Sequence, residues 1–172
     1  HITARRVVSR LAGQPASLPA DAIQPGDFQA ALRTFKSSRS KELFMNHHAL
    51  IIDDNLKNLS VLARLLSEQE VTSTQITNPR LIDQTLAVAG EIDVVFVDLE
   101  MPGLNGYDVL HKLKADEKFI GVPIVAYTVH VSEINQAHRG GFDGFVGKPL
   151  DPDRFPDQLA RLLRHEQVWE TA

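Results

Sequence analysis

From Ala49 onward, short unbroken apolar runs alternate with stretches in which apolar residues recur every three or four positions. Ala49–Ile52 is the first run and predicts a short buried strand ending at Asp53-Asp54. Leu59, Leu62, Ala63 and Leu66 then share one side of a helix. The segment 71–76 (V-T-S-T-Q-I) has the polar, β-branched make-up of an edge strand. Leu81, Ile82, Leu86 and Ala89 predict a second helix, closed by Gly90. Val94, Val95, Phe96 and Val97 are too continuous for a strand with one face in water, so they predict a central strand of a parallel sheet. Pro102 then forbids its continuation.

The alternation continues to the C-terminus. Asn105 is placed to cap a third helix, with Asp108 at its third position and Val109, Leu110 and Leu113 inward. Residues 122–127 predict a fourth strand ending at Thr128, and a helix follows as far as about Gly140. Residues 142–146 predict a fifth strand ending near Lys148-Pro149. A last helix is expected from about Asp153 to His165, with Phe155, Leu159, Leu162 and Leu163 inward. Regular strand–helix alternation with short connections means a parallel sheet covered on both faces by helices.

The segment before this repeat is different in kind. In residues 1–46, a short helix over 4–12 and another beginning after Asp27, with Phe28, Ala31, Leu32 and Phe35 on one side, flank a loop punctuated by Pro15, Pro19 and Pro25. This stretch reads as an N-terminal extension or linker, and residues 47–172 as the functional domain. The first residue is His, which fits the cut edge of a longer protein or a cloning remnant.

Charge sharpens that division. Residues 1–46 hold seven Lys and Arg against three Asp and Glu, whereas residues 47–172 hold eleven against nineteen. An acidic main domain argues against direct nucleic-acid binding. The chain has no cysteine, which excludes disulfides and thiolate metal sites. No apolar run approaches the roughly 20 residues of a membrane span, and no secretory signal is visible, so a cytoplasmic protein is expected.

The chemistry lies at the ends of the strands. In a doubly wound sheet the carboxyl ends of the strands form the rim on which ligands bind. Asp53, Asp54 and Asp98 would meet there, and like-charged carboxylates so close repel unless a cation compensates. An all-oxygen cluster suits Mg²⁺. Lys148 would add a fixed positive charge and Thr128 a hydroxyl donor, a set fit for phosphoryl transfer with Asp98 as nucleophile. Taken singly these residues are ordinary. An Asp pair caps helices, Thr128 and Phe145 suit any strand, and Lys148-Pro149 suits a surface turn. The other histidines (His47, His48, His111, His138, His165) lack metal spacing or a triad partner. No Walker-type phosphate loop is present, and D-L-E lacks the D-x-D pattern of haloacid-dehalogenase phosphatases.

Four segments, in order, resemble the response-regulator receiver domain of two-component signalling (the CheY-like superfamily): I-I-D-D-N from Ile51, V-F-V-D-L-E-M-P from Val95, P-I-V-A-Y-T from Pro123 and F-D-G-F-V-G-K-P from Phe142. The resemblance covers residues 49–165. It implies a flavodoxin-like (βα)₅ fold with strand order 2-1-3-4-5 and a cis bond before Pro149. It assigns Asp98 as phosphoacceptor and Asp53, Asp54, Asp98 and the main-chain carbonyl of Glu100 as Mg²⁺ ligands. Lys148 becomes the phosphate-binding lysine, Thr128 the switch hydroxyl and Phe145 the aromatic switch. The resemblance also implies that Glu100 and His130 stand at positions that in this family tune hydrolysis of the acyl phosphate, and Val129 is bulkier than the family's usual Ala.

Such a domain would be phosphorylated by a sensor histidine kinase or a histidine phosphotransfer protein. It would signal to a downstream protein or an attached output domain, with homodimerisation open. Acting once on itself, it would not be a conventional enzyme. The D-N-x-x-N pattern from Asp54 to Asn58 resembles receivers attached to hybrid kinases. The competing expectation is a pseudo-receiver that binds partners without phosphorylation.

Overall fold

A computed structural model of the chain describes residues 46–171. The helices expected over 4–12 and after Asp27 lie outside the described residues. From the N-terminal side the elements are β1 (His48–Ile52), α1 (Leu56–Glu68), β2 (Thr72–Ile76), α2 (Ile82–Val88) and β3 (Val94–Val97). A small hairpin, β4 (Glu100–Met101) and β5 (Leu104–Asn105), precedes α3 (Gly106–Lys114). The remainder is β6 (Ile124–Thr128), α4 (Ile134–Gly140), β7 (Gly144–Gly147), α5 (Phe155–Leu163) and β8 (Trp169–Glu170).

Six strands form one sheet in the order β2-β1-β3-β6-β7-β8, and every pairing in it is parallel. The five strands anticipated from the sequence therefore lie in the expected order, flavodoxin-like, and β8 adds a sixth. Successive strand residues point to opposite faces, which is why the central runs are apolar at every position. Leu50, Val95, Val97, Ala126 and Phe145 pack with Ile82, Leu86, Val109, Leu110, Leu113 and Ala137, so α2, α3 and α4 cover one face. Ile51, Val94, Phe96, Val125 and Val146 pack with Leu59, Leu62, Leu66, Phe155, Leu159 and Leu162, so α1 and α5 cover the other. All four residues of β3 are buried. Each such side chain contributes about 2 kcal/mol by leaving water.

Several boundaries differ from the sequence reading, each for a local reason. The fourth strand starts at Ile124 rather than residue 122, after Gly121 turns the chain at φ 81° and Pro123, which has no N–H to give the ladder. The fifth starts at Gly144, because Gly141 (φ 98°) closes α4 and Phe142 N still donates to Ala137 O. The last helix is shorter than expected at both ends. Asp151 takes Asp153 N in a side-chain turn (2.9 Å), and His165 adopts φ 60° beyond Leu163. In α2 only Ile82 and Leu86 are buried, while Leu81 is 46 % exposed. Asn105 caps α3 as anticipated, accepting from Tyr107 N at 2.9 Å.

Candidate functional site

The parallel sheet brings four strand ends to one rim. Asp53 follows β1, Asp98 follows β3, Thr128 ends β6 and Lys148 follows β7. Asp98 N donates to Ile52 O (2.9 Å) and Asp53 N to Ile76 O (3.1 Å), so the main chain at both residues is fixed by the ladder itself. Val97 is level with Ala126, which puts Thr128 one position further along β6 than the level of Asp98.

Asp53 is fully buried and heavily committed. Its Oδ1 accepts from Asn55 N (2.7 Å) and Asn58 Nδ2 (3.3 Å), and its Oδ2 from Lys148 Nζ (2.6 Å). A carboxylate has about four lone-pair sites, so Asp53 keeps one of them, on Oδ2. Asn55 also caps α1 by accepting from Lys57 N. The D-N-x-x-N pattern thus has a structural meaning that its likeness to hybrid-kinase receivers did not reveal: the side chain of Asn58 orients Asp53, while that of Asn55 caps α1 and its main-chain N–H also donates to Asp53.

Lys148 Nζ bridges Asp53 and Asp98, lying 2.9 Å from Asp98 Oδ2. Its ammonium also sits 4.5 Å from the centre of the Tyr127 ring, a cation–π contact no sequence pattern announced. Burial pushes the Asp98 carboxyl above its ordinary range. The Lys148 hydrogen bond and charge pull it back, Asp53 raises it again, and the Glu100 amide lowers it. The Tyr127 hydroxyl is driven well up by burial, with Asp53 and Asp98 adding to the effect, so it stays neutral.

One carboxylate oxygen from each of Asp53, Asp54 and Asp98 lies within 4.8 Å of the others, Asp54 being exposed and Asp98 only 8 % so. These are hard oxygen donors with no nitrogen or sulfur among them, the chemistry a small divalent cation such as Mg²⁺ prefers. The donor set fits that ion. Beside it, an open depression of 640 Å³ lined by Asp54, Glu100, Asn105 and Asp108 leaves room for a second molecule to approach.

A family model described as the response regulator receiver domain matches residues 49–160. The chain belongs to that family. Among relatives, stress response regulator protein 1 of Candida tropicalis is 33% identical over 110 residues, which are 62% of this chain and 41% of that protein. Chemotaxis protein CheY-3 of Vibrio cholerae is 27% identical over 120 residues, 69% of this chain and 92% of CheY-3. The chain therefore spans less than half of the Candida protein and nearly all of CheY-3.

Solved structures agree in fold. The chemotaxis response regulator CheY4 of Vibrio cholerae superposes with a TM-score of 0.61 at 19% identity, covering 67% of this chain and 98% of CheY4. The receiver domain of the sensor histidine kinase PA1611 of Pseudomonas aeruginosa does so with a TM-score of 0.61 at 21% identity, covering 69% and 98%. That structure has a magnesium ion coordinated in its active-site cleft.

Within this receiver domain, Phe145 is fully buried and lies level with Ala126 on one side and Trp169 on the other. The Lys148–Pro149 peptide is cis, as the resemblance implied. Val129 is 60 % exposed, and His130 N donates to Thr128 Oγ1 at 3.3 Å. Glu100 and His130, read from the sequence as two separate influences, form one pair: His130 Nε2 lies 2.8 Å from Glu100 Oε2. Glu133 joins them closely enough that one ligand atom from each of the three lies within 4.8 Å of the others. Thirty residues separate Glu100 from His130, so only the fold shows the pairing. Among the described residues, no helix is long and apolar enough to cross a membrane.

Proposed function

We propose that the domain is a phosphorylation-controlled switch in which Asp98 accepts a phosphoryl group from a histidine kinase or a histidine phosphotransfer protein. A carboxylate oxygen of Asp98 forms a bond to phosphorus as the donor's P–N bond breaks, and the departing imidazole keeps the electron pair and takes up a proton. The single observation that carries this reading is the bridge of Lys148 Nζ to Asp53 and Asp98 at 2.6 and 2.9 Å, at a rim where three carboxylates converge. Lys148 holds the Asp98 oxygen in place and faces the charge that develops during transfer. Asp53, Asp54, Asp98 and the Glu100 carbonyl would hold Mg²⁺, which when bound would screen the negative charge of the incoming phosphoryl group.

Thr128 would then donate its hydroxyl to the phosphoryl oxygens. Phe145 would follow into the space vacated, and the surface made by α4, β7 and α5 would change its affinity for a downstream partner. The group must bind that second arrangement better than the first for any switch to occur. The domain accepts the phosphoryl group on its own side chain and turns over once on itself, so it is a phosphoacceptor and not a conventional enzyme. A cytoplasmic setting suits such a partner set.

Incubation with Mg²⁺ and acetyl phosphate, followed by intact mass, is expected to show one added phosphoryl group on the parent chain and none on Asp98→Asn. No adduct on the parent under any donor would instead mark a pseudo-receiver.

The Glu100–His130 pair makes a second expectation. Glu100→Gln and His130→Ala should each alter the lifetime of the phosphorylated form while leaving metal binding largely unchanged. Because the two side chains touch, the double variant should depart from additivity by about 0.5 kcal/mol, roughly a twofold difference in rate. Strictly additive lifetimes would show that each side chain acts alone.

A further inference from the structure

The family match ends at residue 160, yet the fold continues to residue 171. Beyond α5, His165 takes the left-handed conformation and turns the chain back along the sheet. Val168 is fully buried, Phe145 N donates to Val168 O at 2.6 Å, and Trp169 and Glu170 pair with Phe145 and Val146. Gly144 permits the approach: a Cβ there would lie 2.9 Å from Val168 O.

The side chains of this segment reach the neighbouring helices. The Trp169 ring lies 4.6 Å from the His138 ring of α4, centre to centre. Glu170 is clamped by three side chains of the α5 region: Arg154 Nη2 at 2.7 Å and Gln158 Nε2 at 2.9 Å on Oε2, and Arg161 Nη1 at 2.5 Å on Oε1. Arg161 also donates to Gln167 O (3.2 Å). The Gln158 hydrogen bond, followed by those of Arg161 and Arg154, holds the Glu170 carboxyl below the usual range, so this clamp is fully charged at neutral pH.

A single short segment thus binds α4, β7 and α5 together, and Trp169 lies level with the residue expected to rotate. Rotation of Phe145 and displacement of Trp169 are therefore sterically coupled. The attachment is a two-residue strand, one buried valine, one ring contact, one main-chain bond from Arg161 and one clamped carboxylate, and strands this short are marginal by themselves.

We propose that residues 166–171 form a releasable strap that covers the β7 edge until Asp98 is phosphorylated. Release gives the edge and the Arg154–Gln158–Arg161 row to an extended segment of a partner protein with a small residue at the level of Phe145, where the rotated ring leaves no room for a tryptophan, followed by an acidic one. Glu170 of the strap displays the acidic part of that chemistry, and Trp169 is the part that rotation of Phe145 expels. Main-chain pairing to the freed edge supplies affinity, and the two arginines select the acidic residue. While attached, the strap competes as a tethered ligand at an effective concentration on the order of millimolar, which suppresses partner binding before the signal arrives. This inference rests on the phosphoacceptor reading.

The test uses the full chain with Mg²⁺ and acetyl phosphate, the adduct being followed by intact mass. Hydrogen exchange over residues 166–171 is expected to rise at least about tenfold on phosphorylation. A fluorescently labelled peptide with the sequence of residues 167–172 but Ala in place of its Trp (Q-V-A-E-T-A) should bind the phosphorylated chain at least about tenfold more tightly than the unphosphorylated one. A peptide with Gln in place of its Glu should lose that gain. In the full chain, Arg161→Gln should speed exchange of the strap without phosphorylation and weaken peptide binding, with circular dichroism confirming an intact fold.

An adduct with unchanged strap exchange and unchanged peptide binding overturns the strap and leaves the phosphoacceptor standing. Absence of any adduct overturns both. Dimerisation of the phosphorylated chain without peptide would assign the edge to a second copy and overturn the partner assignment.

Discussion

Lys148→Met is expected to destabilise the domain by about 3 kcal/mol at neutral pH in the absence of divalent cations, because removing one member of a buried ion pair strands the other. Here the stranded groups are two: Asp53, whose side chain has no exposure, and Asp98, at 12 %. The Tyr127 ring beneath the ammonium offers them no positive charge in its place. Urea denaturation of parent and variant gives the difference directly. Mg²⁺ should then raise the midpoint of the variant more than that of the parent, since the uncompensated carboxylates attract a cation more strongly. A loss below about 1 kcal/mol would mean that water reaches these carboxylates far better than their burial implies.

Gly106→Ala should cost a comparable amount, about 3 kcal/mol, for a purely steric reason. A Cβ at Gly106 would overlap the Asp98 carbonyl oxygen and lie 2.8 Å from Leu99 Cα. Both obstacles are backbone, and Gly106 N already donates to Leu99 O (2.9 Å), so α3 cannot back away without breaking that bond. Relief would have to come from the turn that carries Asp98, which couples the stability loss to slower phosphorylation. Gly90→Ala is the matched control. A Cβ there meets nothing within 4 Å, and its effect should stay within about 0.5 kcal/mol. Equal melting of the two variants would show that the β3–α3 junction yields more readily than close packing allows.

The parts of this structure that could be read in advance share a physical cause. Strands buried on both faces must be apolar at every position, so β1, β3 and β6 stood out as runs, and their ends located Asp53, Asp98 and Thr128. The combination of those residues with Lys148 was legible because repelling carboxylates demand cations. The parts that were not legible depend on residues distant in sequence. Two-residue β8 has no run to show, and its seat depends on Arg154, Gln158 and Arg161, which by spacing alone look like the solvated side of α5. The Glu100–His130 pair joins β4 to the segment after β6. The β4–β5 hairpin sits where Met101, Pro102 and Gly103 read simply as a loop. Helix α2 was overestimated because Leu81 fits the period yet faces water.

The sheet is also uneven from edge to edge. Strand β2 is largely polar and half-exposed, tied to β1 partly through His48, whose ring nitrogens lie 2.7 and 2.8 Å from the Thr72 and Thr74 hydroxyls, and α2 beside it anchors only two side chains. Asp98, Thr128 and Lys148 belong to strands on the far side of β1. That edge, polar and with few buried side chains, has the make-up of a unit that opens at a small fraction of the cost of global unfolding. Asp98, by contrast, is held by Ile52 of β1, and the site meets β2 through the bond from Asp53 N to Ile76 O. On the proposed function, the place most ready to breathe is then set apart from the place that would signal, and substitutions that loosen β2 or α2 are expected to change the domain's lifetime in the cell before they change its message.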